Sequence, residues 1–269
     1  MPEFLQAGDV RIAYERTGEG PPLVLMHGAE ANRQMFGALV PLLADRFTVI
    51  AYDQRDCGDT ESPAQPATLQ ELANDAAALV HGLGWERAHV FGSSFGGRVA
   101  QAMALLHPGS VDRLVLGSTW AIPLTYEQAY PEGASRIGEL RLRLPDTAEE
   151  LAGWFFPERF LRERPDLRRI FANARPNTER SQRRTRTVSA ALNLTPAAIE
   201  APTLVFAGAL DRVVPPQITT ALADSIPGSR RLMLDDVGHV TVMQATDAVA
   251  HAITNFLEET EHEHVSSRA

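Results

Sequence analysis

One stretch constrains this chain more than any other: Val90-Phe91-Gly92-Ser93-Ser94-Phe95-Gly96-Gly97. An apolar run, Ala88 to Phe91, precedes the turn, and a segment with helical spacing follows and stops at Pro108. The pattern reads as strand, tight turn, helix, with Gly-x-Ser-x-Gly at the turn. Such a turn crowds the backbone, so only small residues fit beside the serine, and Gly92 and Gly96 occupy both flanking positions. The Ser94 hydroxyl then stands at the end of a sheet, over the positive end of the following helix. Ser93 fails the requirement, because Phe91 would stand in its first glycine position.

The chain has 269 residues, room for one large α/β domain with an insertion. With 44% apolar and 22% charged residues it has the composition of a globular protein with a full core. A formal net charge of −9 argues against a general nucleic-acid or anionic-membrane role. All 25 basic residues are arginine, which excludes a lysine Schiff base or a phosphate-loop lysine. Cys57 is the single cysteine, so no internal disulfide or cysteine zinc site can form, and no metal site is expected. Met1-Pro2-Glu3-Phe4 lacks the pattern of a secretory signal, and no apolar run approaches the roughly 18 residues of a membrane span. The expected location is the cytoplasm.

In chain order, Glu3 to Gln6 and Val10 to Tyr14 flank Ala7-Gly8-Asp9 and predict an antiparallel hairpin. Leu23 to Met26 is a continuous apolar run, as for a strand buried on both faces of a parallel sheet, and it leads into His27-Gly28-Ala29. Phe36, Leu39, Val40 and Leu43 predict a helix over 35–44. Phe47 to Tyr52 is another buried strand, followed by the polar loop Asp53 to Thr60. Thr68 and Glu71 form a capping box ahead of an amphipathic helix that stops near Gly82 and Gly84. Leu114 to Leu116 predicts a strand ending at Gly117-Ser118-Thr119-Trp120.

Residues 121–198 then show helical patterns and no convincing strand, and 13 of the 25 arginines fall here. This predicts a helical insertion, a cap, in a core formed by 1–120 and 199–258. Strands resume at Thr203 to Ala207 and Arg231 to Leu234, with helices expected over Pro216 to Ile226 and Val242 to Leu257. Residues 259–269 read as a flexible charged tail, in which His262 and His264 suggest at most weak metal binding.

With these motifs in place, the chain resembles the α/β-hydrolase superfamily, in its cap-bearing serine esterase and lactonase branch. The resemblance covers residues 1 to about 120 and about 200 to 258. It is carried by His27-Gly28, Asp53-x-Arg55, Gly92-x-Ser94-x-Gly96 and the late pair Asp211 and His239, in that order. The implied fold is a mostly parallel twisted sheet with helices on both faces and an inserted helical cap. One departure is Asp56, which replaces a usual glycine; it is expected to hydrogen-bond within its own loop.

The resemblance implies a nucleophile, Ser94, activated by His239 as general base, with Asp211 holding the histidine. Asp235 and Asp236 lie nearer to His239 in sequence but share its strand exit, where facing the ring is harder. The backbone N–H groups of Ala29 and Phe95 are the implied oxyanion hole. His27 reads as structural. Glu30 and Trp120 are candidate substrate contacts; Glu30 is expected to turn to solvent, with disfavouring of anionic substrates as the alternative, and Trp120 to line the site or pack beneath it. Trp154, Phe155 and Phe156 are expected to form the core of the cap, with lining of an apolar pocket as the alternative, and its arginines a solvated face, with contact to a substrate carboxylate as the alternative.

The implied activity is hydrolysis of a small carboxylic ester or lactone through an acyl-enzyme, without a cofactor. The expected partner is therefore a small-molecule substrate, not nucleic acid or a membrane. Two other classes stay open: C–C bond hydrolysis of ring-cleavage products, and a receptor that keeps the triad but turns over slowly. Dehalogenase and epoxide hydrolase branches are disfavoured, because they carry aspartate where this chain has Ser94.

Overall fold

Strands of five to eight residues build one eight-stranded sheet, continuous apolar runs at its centre and mixed sequences toward its edges. The computed structural model describes residues 1–172 and 178–259. The strands are β1 (Glu3–Ala7), β2 (Val10–Thr17), β3 (Pro22–Met26), β4 (Thr48–Tyr52), β5 (Ala88–Ser93), β6 (Val111–Gly117), β7 (Thr203–Gly208) and β8 (Arg230–Leu234). Their order across the sheet is β1-β2-β4-β3-β5-β6-β7-β8. The β1–β2 hairpin is antiparallel, β2 joins β4 antiparallel, and every other pairing is parallel.

That order contains a switch point. From β3 the chain steps outward to β4, then returns to place β5 on the other side of β3. The loops leaving β3 and β5 therefore diverge, and a crevice opens between them at the carboxyl ends of the strands. His27 to Glu30 leave β3 at this crevice, and Ser94 leaves β5.

Helices cover both faces because alternate strand residues point to opposite sides. Val24, Met26, Val90, Leu114 and Leu116 pack against α2 (Leu69–Gly82) and α3 (Phe95–Leu106). Leu23, Leu25, Phe91, Val115 and Phe206 face the other way, toward Phe36, Leu39 and Leu43 and toward Val249, Ile253 and Phe256 of the last helix. The capping box of α2 is complete: Thr68 Oγ1 accepts from Glu71 N at 3.1 Å, and Glu71 Oε2 accepts from Thr68 N at 2.7 Å. Thr68→Ala is expected to lower stability by about 1 kcal/mol, read as a lower urea midpoint at unchanged slope.

Two expected helices are broken. Over 35–44 the chain makes a 3-10 turn (Arg33–Phe36) and then the single turn α1 (Val40–Leu43). Pro41 has no N–H, and its ring would clash with the carbonyl four residues earlier, so a continuous helix cannot pass. Phe36, Leu39 and Leu43 are buried all the same. Near the C-terminal end of the described chain, α10 (Thr241–Gln244) and α11 (Thr246–Glu258) are separated at Ala245. The break leaves Gln244 beside the His239 loop, where it accepts from Gly238 N at 2.7 Å and donates to Phe155 O at 3.1 Å.

Between β6 and β7 the described chain forms α4 (Tyr126–Ala129), α5 (Pro131–Leu142), α6 (Ala148–Phe155), α7 (Glu158–Glu163) and α8 (Glu179–Val188). After β7 comes α9 (Pro216–Ser225). Among the described residues no helix is long and apolar enough to cross a membrane. Residues 260–269 of the expected tail, with His262 and His264, lie outside the described residues.

Candidate active site

The turn between β5 and α3 holds Ser94 at φ 54°, ψ −121°, a conformation L residues rarely adopt. Ser94 N donates to Gly117 O at 2.8 Å and Thr119 Oγ1 donates to Ser94 O at 2.7 Å, so the end of neighbouring β6 and the loop after it hold the strained residue on both sides. A Cβ on Gly92 would lie 2.3 Å from Gly96 O. A Cβ on Gly96 would lie 2.1 Å from Met26 O. The two glycines are thus required by the close approach of strand and helix, and of helix and β3.

His239 lies past β8, and Asp211 past β7. His239 Nε2 is 2.9 Å from Ser94 Oγ, and Nδ1 is 2.9 Å from Asp211 Oδ2. Asp211 Oδ1 accepts from Val213 N at 2.9 Å and Val214 N at 2.8 Å, which aims Oδ2 at the ring. Because the carboxylate can only accept, Nδ1 carries the proton in the neutral ring and Nε2 is free to accept from the serine hydroxyl. His239 N donates to Phe155 O at 3.0 Å, and the Phe155 ring meets the imidazole edge-on with centroids 5.6 Å apart. Asp236 points elsewhere: its carboxylate is exposed and 3.8 Å from Arg159.

The segment His27-Gly28-Ala29 runs beside the serine; a Cβ on Gly28 would lie 3.6 Å from Ser94 Cβ. His27 Nδ1 donates to Gly28 O at 2.8 Å, and Nε2 accepts from Gln54 N at 3.1 Å. Its ring is fully buried and spent on these loops, the structural part expected of it. The Gly28 carbonyl and the Ala29 N–H share one peptide plane and point in opposite directions, so this bond also orients the N–H.

A cavity of about 540 Å³ lies over Ser94 and His239. Trp120, Tyr126, Phe155, Phe171 and Met243 supply apolar walls, and Glu30, Arg141 and Arg184 polar ones. Trp120 does both things considered for it: it lines the cavity and packs in a cluster with Leu140, Leu151 and Trp154. Tyr126 donates from its hydroxyl to Val213 O at 2.6 Å, and burial holds its phenol well above the ordinary value.

A model of the family described as alpha/beta hydrolase fold matches residues 21–246. The chain belongs to this family. Among solved structures similar to this α/β-hydrolase is a hydrolase from Pseudomonas aeruginosa PA01, 31% identical, with a TM-score of 0.79 over 96% of this chain and 98% of that one. A thermophilic esterase from Thermogutta terrifontis is 29% identical, with a TM-score of 0.78 over 96% and 98% of the two chains. Est816, an N-acyl homoserine lactone degrading enzyme, is 25% identical, with a TM-score of 0.81 over 94% and 100%.

Several side-chain expectations for this α/β-hydrolase are modified by the helices between β6 and β7. Asp56 bonds across to α8 rather than within its loop: Oδ1 accepts from Arg183 Nη2 at 2.7 Å and Nε at 3.0 Å. Glu30 is exposed as expected, and its carboxylate also pairs with Arg141 of α5 at the cavity wall. Trp154 packs with Ile137, Leu140 and Leu151 among the helices between β6 and β7, and Phe155 and Phe156 also line the cavity. Arg180, Arg183 and Arg184 make no solvated face. They grip the 53–60 loop and the Ala29 carbonyl.

The other end of α8 is held from α3. Buried Arg98 donates to Val188 O, Ala190 O and Ile122 O, at 3.4, 2.9 and 2.9 Å, and burial pushes its guanidinium down to about 10. Sequence reasoning did not single out Arg184, Arg141, Tyr126 or Met243. Met243 had a local signal, since it follows His239 by four residues. Arg184 had none, being one arginine among many between β6 and β7.

Proposed function

We propose that this protein hydrolyses a small carboxylic ester or lactone through an acyl-enzyme on Ser94. The observation that carries the reading is the unbroken line from Asp211 Oδ2 through His239 to Ser94 Oγ, with both links at 2.9 Å, opening into a largely apolar cavity. In this reading His239 Nε2 takes the hydroxyl proton as Ser94 Oγ attacks the acyl carbon. Asp211 stabilises the imidazolium that forms. The N–H groups of Ala29 and Phe95 receive the oxyanion, Phe95 from the first turn of α3. Collapse expels the alcohol, or opens the lactone, with the proton returned from His239. Water, activated by the same histidine, then releases the acid.

The inserted helices act as a lid, and the cavity size fits a substrate of ordinary metabolite dimensions. Trp120 offers an apolar surface to the acyl or alcohol group. Glu30, paired with Arg141 at the cavity wall, presents polar contacts. The similarity to an esterase and to a lactone-degrading enzyme supports this substrate class.

The test is intact-mass labelling with a fluorophosphonate, peptide-mapped, beside steady-state rates on p-nitrophenyl esters of increasing acyl length. One adduct, on Ser94, with multiple turnovers is the expected result, and the chain-length profile sizes the cavity. An adduct without ester turnover would move the reading to C–C bond hydrolysis or a ligand-sensing receptor. No adduct at all would overturn the proposed nucleophile.

A further inference from the structure

Arg184 is 2% exposed, yet among the described residues its hydrogen bonds all go to neutral oxygens. Nε donates to Ala29 O at 2.9 Å and Nη2 to Gln54 Oε1 at 3.0 Å, with a longer 3.5 Å contact from Nη1 to Arg55 O. Its guanidinium carbon lies 4.8 Å from the centroid of the Phe95 ring. A buried guanidinium without a carboxylate is costly, so its place needs a reason. Arg184 holds the carbonyl of Ala29, whose N–H is one proposed oxyanion donor, and lies over the ring of Phe95, whose N–H is the other.

The carbonyls of the segment His27-Gly28-Ala29 are held one after another. Gln54 Nε2 donates to His27 O at 2.7 Å, His27 Nδ1 donates to Gly28 O at 2.8 Å, and Arg184 Nε donates to Ala29 O. Arg184 also anchors the Gln54 amide that makes the first of these bonds. The peptide that presents the Ala29 N–H is therefore pinned on both sides, and Arg184 acts on each. Rotating that peptide would aim its N–H away from the serine.

We propose that Arg184 is a positioning residue: a side chain of the inserted helix α8 that sets the oxyanion loop, so that α8 docking and transition-state stabilisation are coupled. The inference rests on the ester chemistry proposed at Ser94. Its neighbours Arg180 and Arg183 only dock the helix, on the carbonyls of Cys57 and Gly58 and on Asp56. They leave the oxyanion loop untouched and supply an internal control.

The test compares Arg184→Gln, Arg184→Lys, Gln54→Met and Arg183→Gln by the second-order rate of fluorophosphonate labelling at Ser94. It also takes kcat and KM on an uncharged p-nitrophenyl ester, with thermal melts as a check of folding. Arg184→Gln is expected to label about tenfold to a hundredfold more slowly, with kcat falling alike and KM nearly unchanged. Arg184→Lys recovers part of the loss, Gln54→Met shows a loss in the same direction, and Arg183→Gln labels at the wild-type rate.

Wild-type labelling by Arg184→Gln overturns the inference. So does a rise in KM at unchanged kcat, which marks direct substrate contact, or an equal loss in Arg183→Gln, which marks general docking. If Arg184→Gln does not melt cooperatively, Gln54→Met decides, and an unchanged rate there is fatal. A wild-type protein unlabelled at Ser94 overturns the underlying esterase reading instead, and is recognisable because every variant is then equally inert.

Discussion

Asp211→Asn is expected to lower kcat for ester hydrolysis by about 10⁴ with little change in KM. The geometry gives the reason. Asp211 Oδ1 accepts from Val213 N and Val214 N, so an asparagine keeps its carbonyl oxygen there and turns its NH₂ toward His239 Nδ1. Two donors cannot face each other, so the ring proton moves to Nε2. There it opposes the Ser94 hydroxyl instead of accepting from it. Stopped-flow or steady-state assay on a p-nitrophenyl ester reads the change. Asp236→Asn, at an exposed carboxylate 3.8 Å from Arg159, should leave the rate as it is. A mild Asp211→Asn and a severe Asp236→Asn would mean that the wrong carboxylate has been chosen.

Ser94→Ala should have the largest effect of all, a loss of about 10⁶ in kcat together with loss of the fluorophosphonate adduct. The residue is half-buried and alanine keeps the Cβ, so the elbow should still close around it. Its N–H bond to Gly117 O and the Thr119 bond to its carbonyl involve backbone atoms that the substitution leaves in place. The melting temperature is accordingly expected to stay close to that of the wild type. Residual turnover within tenfold of wild type would rule Ser94 out as the nucleophile.

The strands and the residues at their ends were readable for a local reason. A buried parallel strand needs a continuous apolar run, and the candidate site residues follow such runs: His27-Gly28 after β3, Ser94 after β5, Asp211 after β7 and His239 after β8. The two misjudged helices were also local matters, in which apolar spacing outweighed Pro41 in one case and the turn at Ala245 was missed in the other. Arginine was harder. Burial of Arg98 and Arg184 depends on which carbonyls surround them, and those belong to residues far away in the chain.

What the sequence determined by itself is therefore the fold and the turn that carries Ser94, and it put forward Ser94, His239 and Asp211 as candidates, because each follows an apolar run whose local pattern forces one backbone course. Tertiary structure alone decided how the helices between β6 and β7 meet that frame. Asp56 pairs with Arg183, Glu30 with Arg141, and Ala29 O with Arg184, all across more than a hundred residues of chain. Such contacts are selected by the desolvation of charged and carbonyl groups when two surfaces close, and no local pattern encodes which surface a helix will meet.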